Sequence, residues 1–161
     1  MAVDMFLVLD GIDGEAKDAS YTDKIDVLAW SWGASQSGTF HSGGGGGSGK
    51  ANFQDISVTK FVDSSTNVLL SHVAKGTHIA TGKLIVRKAG DKPVDYLSIE
   101  LEKIMVTSYS TGGSGGEDQL TENITLNFAK YKLSYQKQND KGGKDGGVKD
   151  SKFNIEANEE G

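Results

Sequence analysis

The chain has 161 residues, the length of one ordinary domain, and 36% of them are hydrophobic, enough to bury a core. A net charge of −5, with no run of Lys and Arg interleaved with aromatics, argues against nucleic acid as the partner. The absence of cysteine excludes disulfides, thiolate metal sites and cysteine nucleophiles together.

In chain order, residues 5–9 form a short apolar run closed by the turn signal Asp10-Gly11, which predicts a first strand. Residues 1–11 have no basic region, and an aspartate interrupts their apolar run, so they do not read as a secretory signal. No stretch approaches the ~18 apolar residues of a membrane span, so neither membrane insertion nor export by a cleaved signal is expected. The polar segment 13–24 lacks periodicity and predicts an exposed loop. Alternation from 25 onward places Ile25, Val27, Ala29 and Ser31 on one strand face and Asp26, Leu28, Trp30 and Trp32 on the other. The paired tryptophans predict that Leu28, Trp30 and Trp32 face the core and that Ser31 points away from it.

Five glycines at 43–47 then interrupt the pattern. Residues 53–61, rich in β-branched and aromatic side chains, predict another strand. Next comes a helix, with Asp63, Ser64 and Ser65 as candidate N-caps, Leu69, Leu70 and Val73 as its apolar stripe and Gly76 as its stop. Beyond it Ala80, Leu84 and Val86 share a phase broken by Gly82, and 89–93 turns the chain. Leu97, Ile99 and Leu101 alternate before the phase slips to Ile104 and Val106, which predicts a bulge or bend near Glu102-Lys103. Leu120, Ile124, Leu126 and Phe128 slip in the same way to Tyr131, Leu133 and Tyr135. Strands whose inward face switches midway suit a strongly bent sheet or a small closed barrel. The glycine-rich 111–116 reads as a hairpin end, 136–150 as a Lys-, Asp- and Gly-rich connection, and Phe153 and Ile155 as a last short strand. The fold class is mainly β, a single domain over 1–161 with one helix and long glycine-rich loops.

Each motif that could carry chemistry has a plainer reading. Gly44, Gly45, Gly46, Gly47, Ser48, Gly49 and Lys50 fit G-x-x-x-x-G-K, most of a phosphate-binding loop. Position 51 is alanine, which removes the magnesium-binding hydroxyl, and a strand pattern follows where a helix is needed. Of the histidines, His41 falls in the glycine stretch, His72 on the helix and His78 before a strand, with no ligand spacing among them. Gly112, Gly113, Ser114, Gly115 and Gly116 spell a serine elbow, but no apolar strand and helix bound it. The carboxylate pairs Glu100/Glu102 and Glu117/Asp118 read as solvated or charge-paired faces. No catalytic residue, metal or cofactor is expected. Long glycine loops and strand edges point instead to contacts between copies. The alternatives are a monomeric β-barrel that binds carbohydrate or protein, and a nucleotide-binding protein using the 44–50 loop.

The residues also resemble a known family over nearly the whole chain. M-A-V-D-M-F at the start, I-D-V-L-A-W-S-W-G-x-S-Q-S-G at 25–38, G-G-G-G-x-G-K at 44–50, D-x-S at 63–65, R-K-A-G at 87–90, S-T-G-G-S-G-G-E-D-x-L-T-E-N-x-T-L-N-F-A at 110–129 and K-D-G-G at 144–147 are similar to the haemolysin-coregulated protein (Hcp) family, the tube proteins of bacterial type VI secretion. The resemblance implies a small closed β-barrel of two packed sheets, flanked by one helix and assembled into homohexameric rings. Such rings stack into a tube, carry effectors in the lumen, meet a spike protein at the tip and are expelled by a contractile sheath. The implied location is the bacterial cytoplasm, then the exterior. Ser31 is the implied lumen and effector-binding residue. Gly44–Lys50 and Gly112–Gly116 are the implied ring-assembly loops. The chain departs from relatives at Asn67-Val68, where some place a proline, and at Phe153, where many carry tryptophan.

Overall fold

The structure is a computed structural model and describes residues 3–38, 50–88, 93–139, 141 and 143–161. Within them run β1 (Val3–Leu9), β2 (Ile25–Ser31), β3 (Ala34–Ser35), β4 (Asn52–Phe53), β5 (Ile56–Phe61), α1 (Thr66–Lys75), β6 (His78–Lys88), β7 (Val94–Gly112), β8 (Thr121–Tyr135) and β9 (Lys149–Asn154). The main sheet is ordered β5-β2-β1-β6-β7-β8-β9, and a further β5–β8 pairing closes six of its strands into a barrel. β8 makes this closure possible because it is long. One edge follows β7; the other pairs β5 through 121–126 and β9 through 130–135. The small β3–β4 sheet stands apart.

The expected single strand over 53–61 is split. Gln54 turns its carbonyl to accept the Trp32 Nε1 hydrogen at 2.9 Å, and Asp55 accepts from Thr107 Oγ1 at 2.6 Å and Asn127 Nδ2 at 2.9 Å. Gln54 N–H meanwhile donates to the Gly33 carbonyl at 2.9 Å, so the backbone changes partner between Phe53 in β4 and Ile56 in β5.

Inward residues from every barrel strand make one core, including Leu7, Leu9, Ile25, Val58, Leu84, Ile99, Ile104, Ile124 and Leu126. The phase slips foreseen on β7 and β8 lie directly opposite each other, since Glu102 pairs with Lys130. At this level Lys103 adopts a positive φ of 55° and has no place in either neighbouring ladder, so the strand bends and its next inward residue is Ile104. The register shift itself comes a few residues later, between Val106 and Ser108. Gly82 continues the same corner on β6. A Cβ there would stand 2.7 Å from Ile104 Cδ1 and 2.9 Å from Leu9 Cδ2, so only glycine lets the walls approach this closely.

A bulge on β2 corrects the predicted faces. The β2–β5 register shifts between Val27 and Ala29, so Ile25 and Val27 point inward before the bulge and Trp30 after it. Leu28, placed by alternation in the core, is 40% exposed. Trp30 and Trp32 do pack against the core, both partly buried, and Ser31 is exposed as expected.

Three further expectations change. In α1 only Leu69 is buried; Val73 packs on the core edge and Leu70 faces outward. Leu120 precedes β8, lies against Gly113 and is exposed. The segment 13–24 has no strand or helix but is not simply solvated. Its backbone is cross-tied, with Gly14 N–H donating to Asp23 O and Ala16 N–H to Lys24 O, and Ala16 is buried. It covers the outside of β1 and β6, where Tyr21 stacks on Phe6 at 4.8 Å.

Candidate functional site

No catalytic constellation emerges among the described residues. Glu100 is flanked in the ladders by Lys83 and Lys132, and Glu102 meets Lys130 at 3.6 Å, so the pair reads as charge-compensated surface. His72 Nδ1 lies 2.8 Å from the Val68 carbonyl one helical turn back, and His78 is exposed on β6. No group of three or more His, Asp or Glu that could hold a metal occurs among the described residues. Nor is any of their helices long and apolar enough to cross a membrane.

The sequence-derived site residues divide between one strand face and two loops. Ser31 ends β2, exposed on the outside of the barrel, where it pairs with Ser57 of β5. Gly112 ends β7, and Gly113, Ser114, Gly115 and Gly116 follow in the exposed loop to β8. There Ser114 Oγ donates to Glu117 Oε1 at 3.3 Å, a local turn contact in place of a strained, presented nucleophile. Lys50 is exposed and in neither strand nor helix. Gly44, Gly45, Gly46, Gly47, Ser48 and Gly49, with His41, lie outside the described residues.

The base of the 36–51 connection is held firmly. Trp32 lies 5.0 Å from Tyr131 and 5.8 Å from Phe128, and Phe53 stacks on Phe153 at 5.6 Å. Such edge-on and offset aromatic contacts stabilise beyond the area they bury. The two chain segments that leave the barrel toward the glycine stretch are thereby tied to β8 and β9.

Two polar centres were not foreseen. The first is a buried charge cluster where α1 meets the barrel. Lys60 and Glu122 are both fully buried, with the ammonium 3.1 Å from Glu122 Oε1, 3.0 Å from Asp63 Oδ1 and 2.8 Å from the Phe61 carbonyl. Thr66 Oγ1 also donates to Glu122 Oε1, and Asp63 Oδ1 accepts the Ser65 N–H at 2.8 Å. Asp63 thus does the capping work, since Ser65, the positional N-cap, makes no side-chain cap bond. Glu122 Oε2 has no hydrogen-bond partner among the described residues. Burial, then the Glu122 carboxylate, pushes the nearby Tyr109 hydroxyl above the usual phenol range. One signal was available in the sequence: Lys60 is in phase with Ile56 and Val58, and Glu122 with Ile124 and Leu126.

The second centre fastens the 13–24 segment. The buried Arg87 guanidinium bonds both Asp18 oxygens, Nη1 to Oδ2 at 2.9 Å, and reaches Asp4 at 3.3 Å. It also sits over the Phe6 ring at 5.2 Å. Its hydrogen bonds hold the Asp18 carboxyl down at about 2. Asp26 is displaced the other way, raised first by burial and then by repulsion from Asp63, Asp18 and Asp4.

A groove of about 750 Å³ crosses the outside of β1, β6, β7, β8 and β9, lined in part by Lys83, Glu100, Glu102, Lys132 and Lys152; neither Ser31 nor a residue of Gly112–Gly116 borders it. Its mixed charge and open shape suit a contact surface better than a catalytic pocket.

Comparison with known proteins agrees with the architecture. Residues 6–135 match a family model described as "Type VI secretion system effector, Hcp". The chain is 54% identical over 159 residues to the protein hcp1 of Pseudomonas aeruginosa, covering 98% of each. Among solved structures it is similar to a type six secretion system protein, with a TM-score of 0.92, 30% identity and coverage of 98% and 99% of the two chains. It is also similar to Hcp1 from Salmonella typhimurium, with a TM-score of 0.82, 32% identity and 99% coverage of each chain.

Proposed function

The chain belongs to the Hcp family of type VI secretion proteins, and we propose that it is the structural subunit of the secretion tube, folded as one domain over 1–161. Its copies close into hexameric rings and the rings stack. A ring needs a heterologous contact that closes, and a tube needs a second, axial contact that propagates. The glycine-rich loops at 44–50 and 112–116 take part in these contacts. Ser31 faces the channel and touches effector cargo. Spike protein and contractile sheath are the other partners, and the chain leaves the bacterial cytoplasm without a cleaved signal. It performs no catalysis and needs no cofactor.

The observation that carries this reading is kinship along the full length, 54% identity with coverage of 98% on both sides, which supports a shared one-domain plan. The exposed position of Ser31, on the opposite side of β2 from the inward Trp30, supports the channel assignment. Size-exclusion chromatography with light scattering, followed by negative-stain imaging, tests it. Six-fold rings are expected; a monomer at every concentration would refute the assembly.

A further inference from the structure

The strand face that holds Ser31 has a chemical character of its own. Across β2, β5, β8 and β7 the ladders align Ser31, Ser57, Thr125 and Ser108 in one row, and Ala29, Thr59, Asn123 and Ser110 in the next. These eight outward positions carry no charge, in a chain where 24% of residues are charged. The other outward face is the reverse, with Lys83, Glu100, Lys132 and Lys152 along a single row. Charge meets the neutral rows only at their border in this network, where Asp55, two residues before Ser57, accepts from Thr107 and Asn127.

The neutral face is also tied together. Thr125 Oγ1 exchanges hydrogen bonds with Thr107 Oγ1 at 2.7 Å and Ser108 Oγ at 2.6 Å, and Thr59 Oγ1 donates to Asn123 Oδ1. Short side chains already held in place lose little rotamer freedom when something docks on them. Without fixed charge they neither steer nor repel a charged partner at long range, and they leave no ion to be desolvated on contact. Each neutral hydrogen bond to a partner is weak, which suits an occupant that must later be released.

We propose that this face sets cargo specificity without regard to charge: it meets a folded protein through uncharged hydroxyl and amide contacts spread over four strands. Ser57, Thr59, Ser108, Asn123 and Thr125 join Ser31 as the contact residues. This rests on the reading of Ser31 as a channel residue. Its consequence is that cargo proteins of either net charge are accepted, and that shape and polar contact decide among them.

The lack of native cysteine permits a direct test. Single variants Ser57→Cys, Ser108→Cys and Asn123→Cys are made in the full chain, and light scattering records the assembly of each. Each is treated at low salt with the cationic trimethylammonioethyl and the anionic sulfonatoethyl methanethiosulfonate, and the rates are normalised to those of mercaptoethanol. A cation-to-anion ratio within about threefold of unity is expected at all three positions. A larger preference for either sign, as the chain's net charge of −5 would impose on a wall that feels it, overturns the proposal. The ratio can be read on rings or monomers, so failure to assemble counts against the tube and not against the neutrality of this face. A maleimide carrying a polymer too wide for the channel should label Lys152→Cys and spare the three face positions; labelling of all four overturns the channel placement and the cargo role with it. In producing cells, Asn123→Lys and Asn123→Asp should shift the balance of co-secreted acidic and basic proteins about tenfold in opposite directions. An unchanged balance overturns the specificity role.

Discussion

Replacing Lys60 by methionine tests how the barrel end and the helix are joined. The ammonium lies within 3.1 Å of Glu122 Oε1, Asp63 Oδ1 and the Phe61 carbonyl, and neither Lys60 nor Glu122 reaches solvent. Methionine keeps most of the volume but leaves the Glu122 carboxylate buried with one donor, Thr66 Oγ1. Removing one partner of a buried ion pair costs about 3–5 kcal/mol, because the remaining charge is uncompensated. Glu122→Leu alone strands the ammonium less severely, since Asp63 and the Phe61 carbonyl remain. The double variant Lys60→Met, Glu122→Leu removes both charges and should be far less destabilised than Lys60→Met alone, by about 2 kcal/mol or more. Urea unfolding followed by Trp30 and Trp32 fluorescence, at one fixed chain concentration, measures all four corners of the cycle. If Lys60→Met costs under about 1 kcal/mol, or if the two changes are simply additive, the buried pair is not what couples α1 to the barrel.

The remaining expectations concern the corner and the acidic surface. Gly82→Ala should destabilise by about 1–3 kcal/mol through overpacking against Ile104 and Leu9, and Ile104→Val in the same chain should recover part of the loss by relieving the contact; both are read by thermal melting. The folded-state pKa of Asp18 is depressed to about 2 from 3.8, so its contribution is present above pH 3.8 and is lost as pH falls toward 2. Asp18→Asn should therefore flatten the melting temperature against pH across that window. For Asp26 the folded pKa is raised, so its charged form opposes folding once pH exceeds the folded value. Asp26→Asn should raise the melting temperature at pH 7 and leave it unchanged at pH 3.

The barrel was legible because its cause is periodic. The slips from Leu101 to Ile104 and from Phe128 to Tyr131 mark strands whose inward face changes side, and the ladders place those slips opposite each other. The helix stop was legible for a similar local reason: Gly76 takes the left-handed conformation that closes α1. Leu28 was misplaced because strict alternation cannot register an extra residue, and the bulge between Val27 and Ala29 depends on how β5 pairs across it. Leu70 and Leu120 were assigned inward by phase alone, but α1 turns Leu69 and Val73 to the core and Leu70 to solvent, and β8 begins after Leu120.

Ser31 could be put on the outward side of its strand from sequence, but the neutral rows around it could not be assembled there. Ser57, Thr125 and Ser108 are scattered through the chain and become neighbours only because β5 pairs with both β2 and β8, and β8 with β7. The same closure sets Lys60 against Glu122, 62 residues apart. Sequence alone determined what is local or periodic, namely strand phase, turns, the helix stop, the absence of thiol chemistry and the family motifs. Tertiary structure decided what requires two distant strands to meet: a buried ion pair beneath the helix, a clamp over the outer face, and two uncharged rows bordered by Asp55. The physical reason is that ladder register, unlike side-chain periodicity, is a property of pairs of strands and is written in neither one alone.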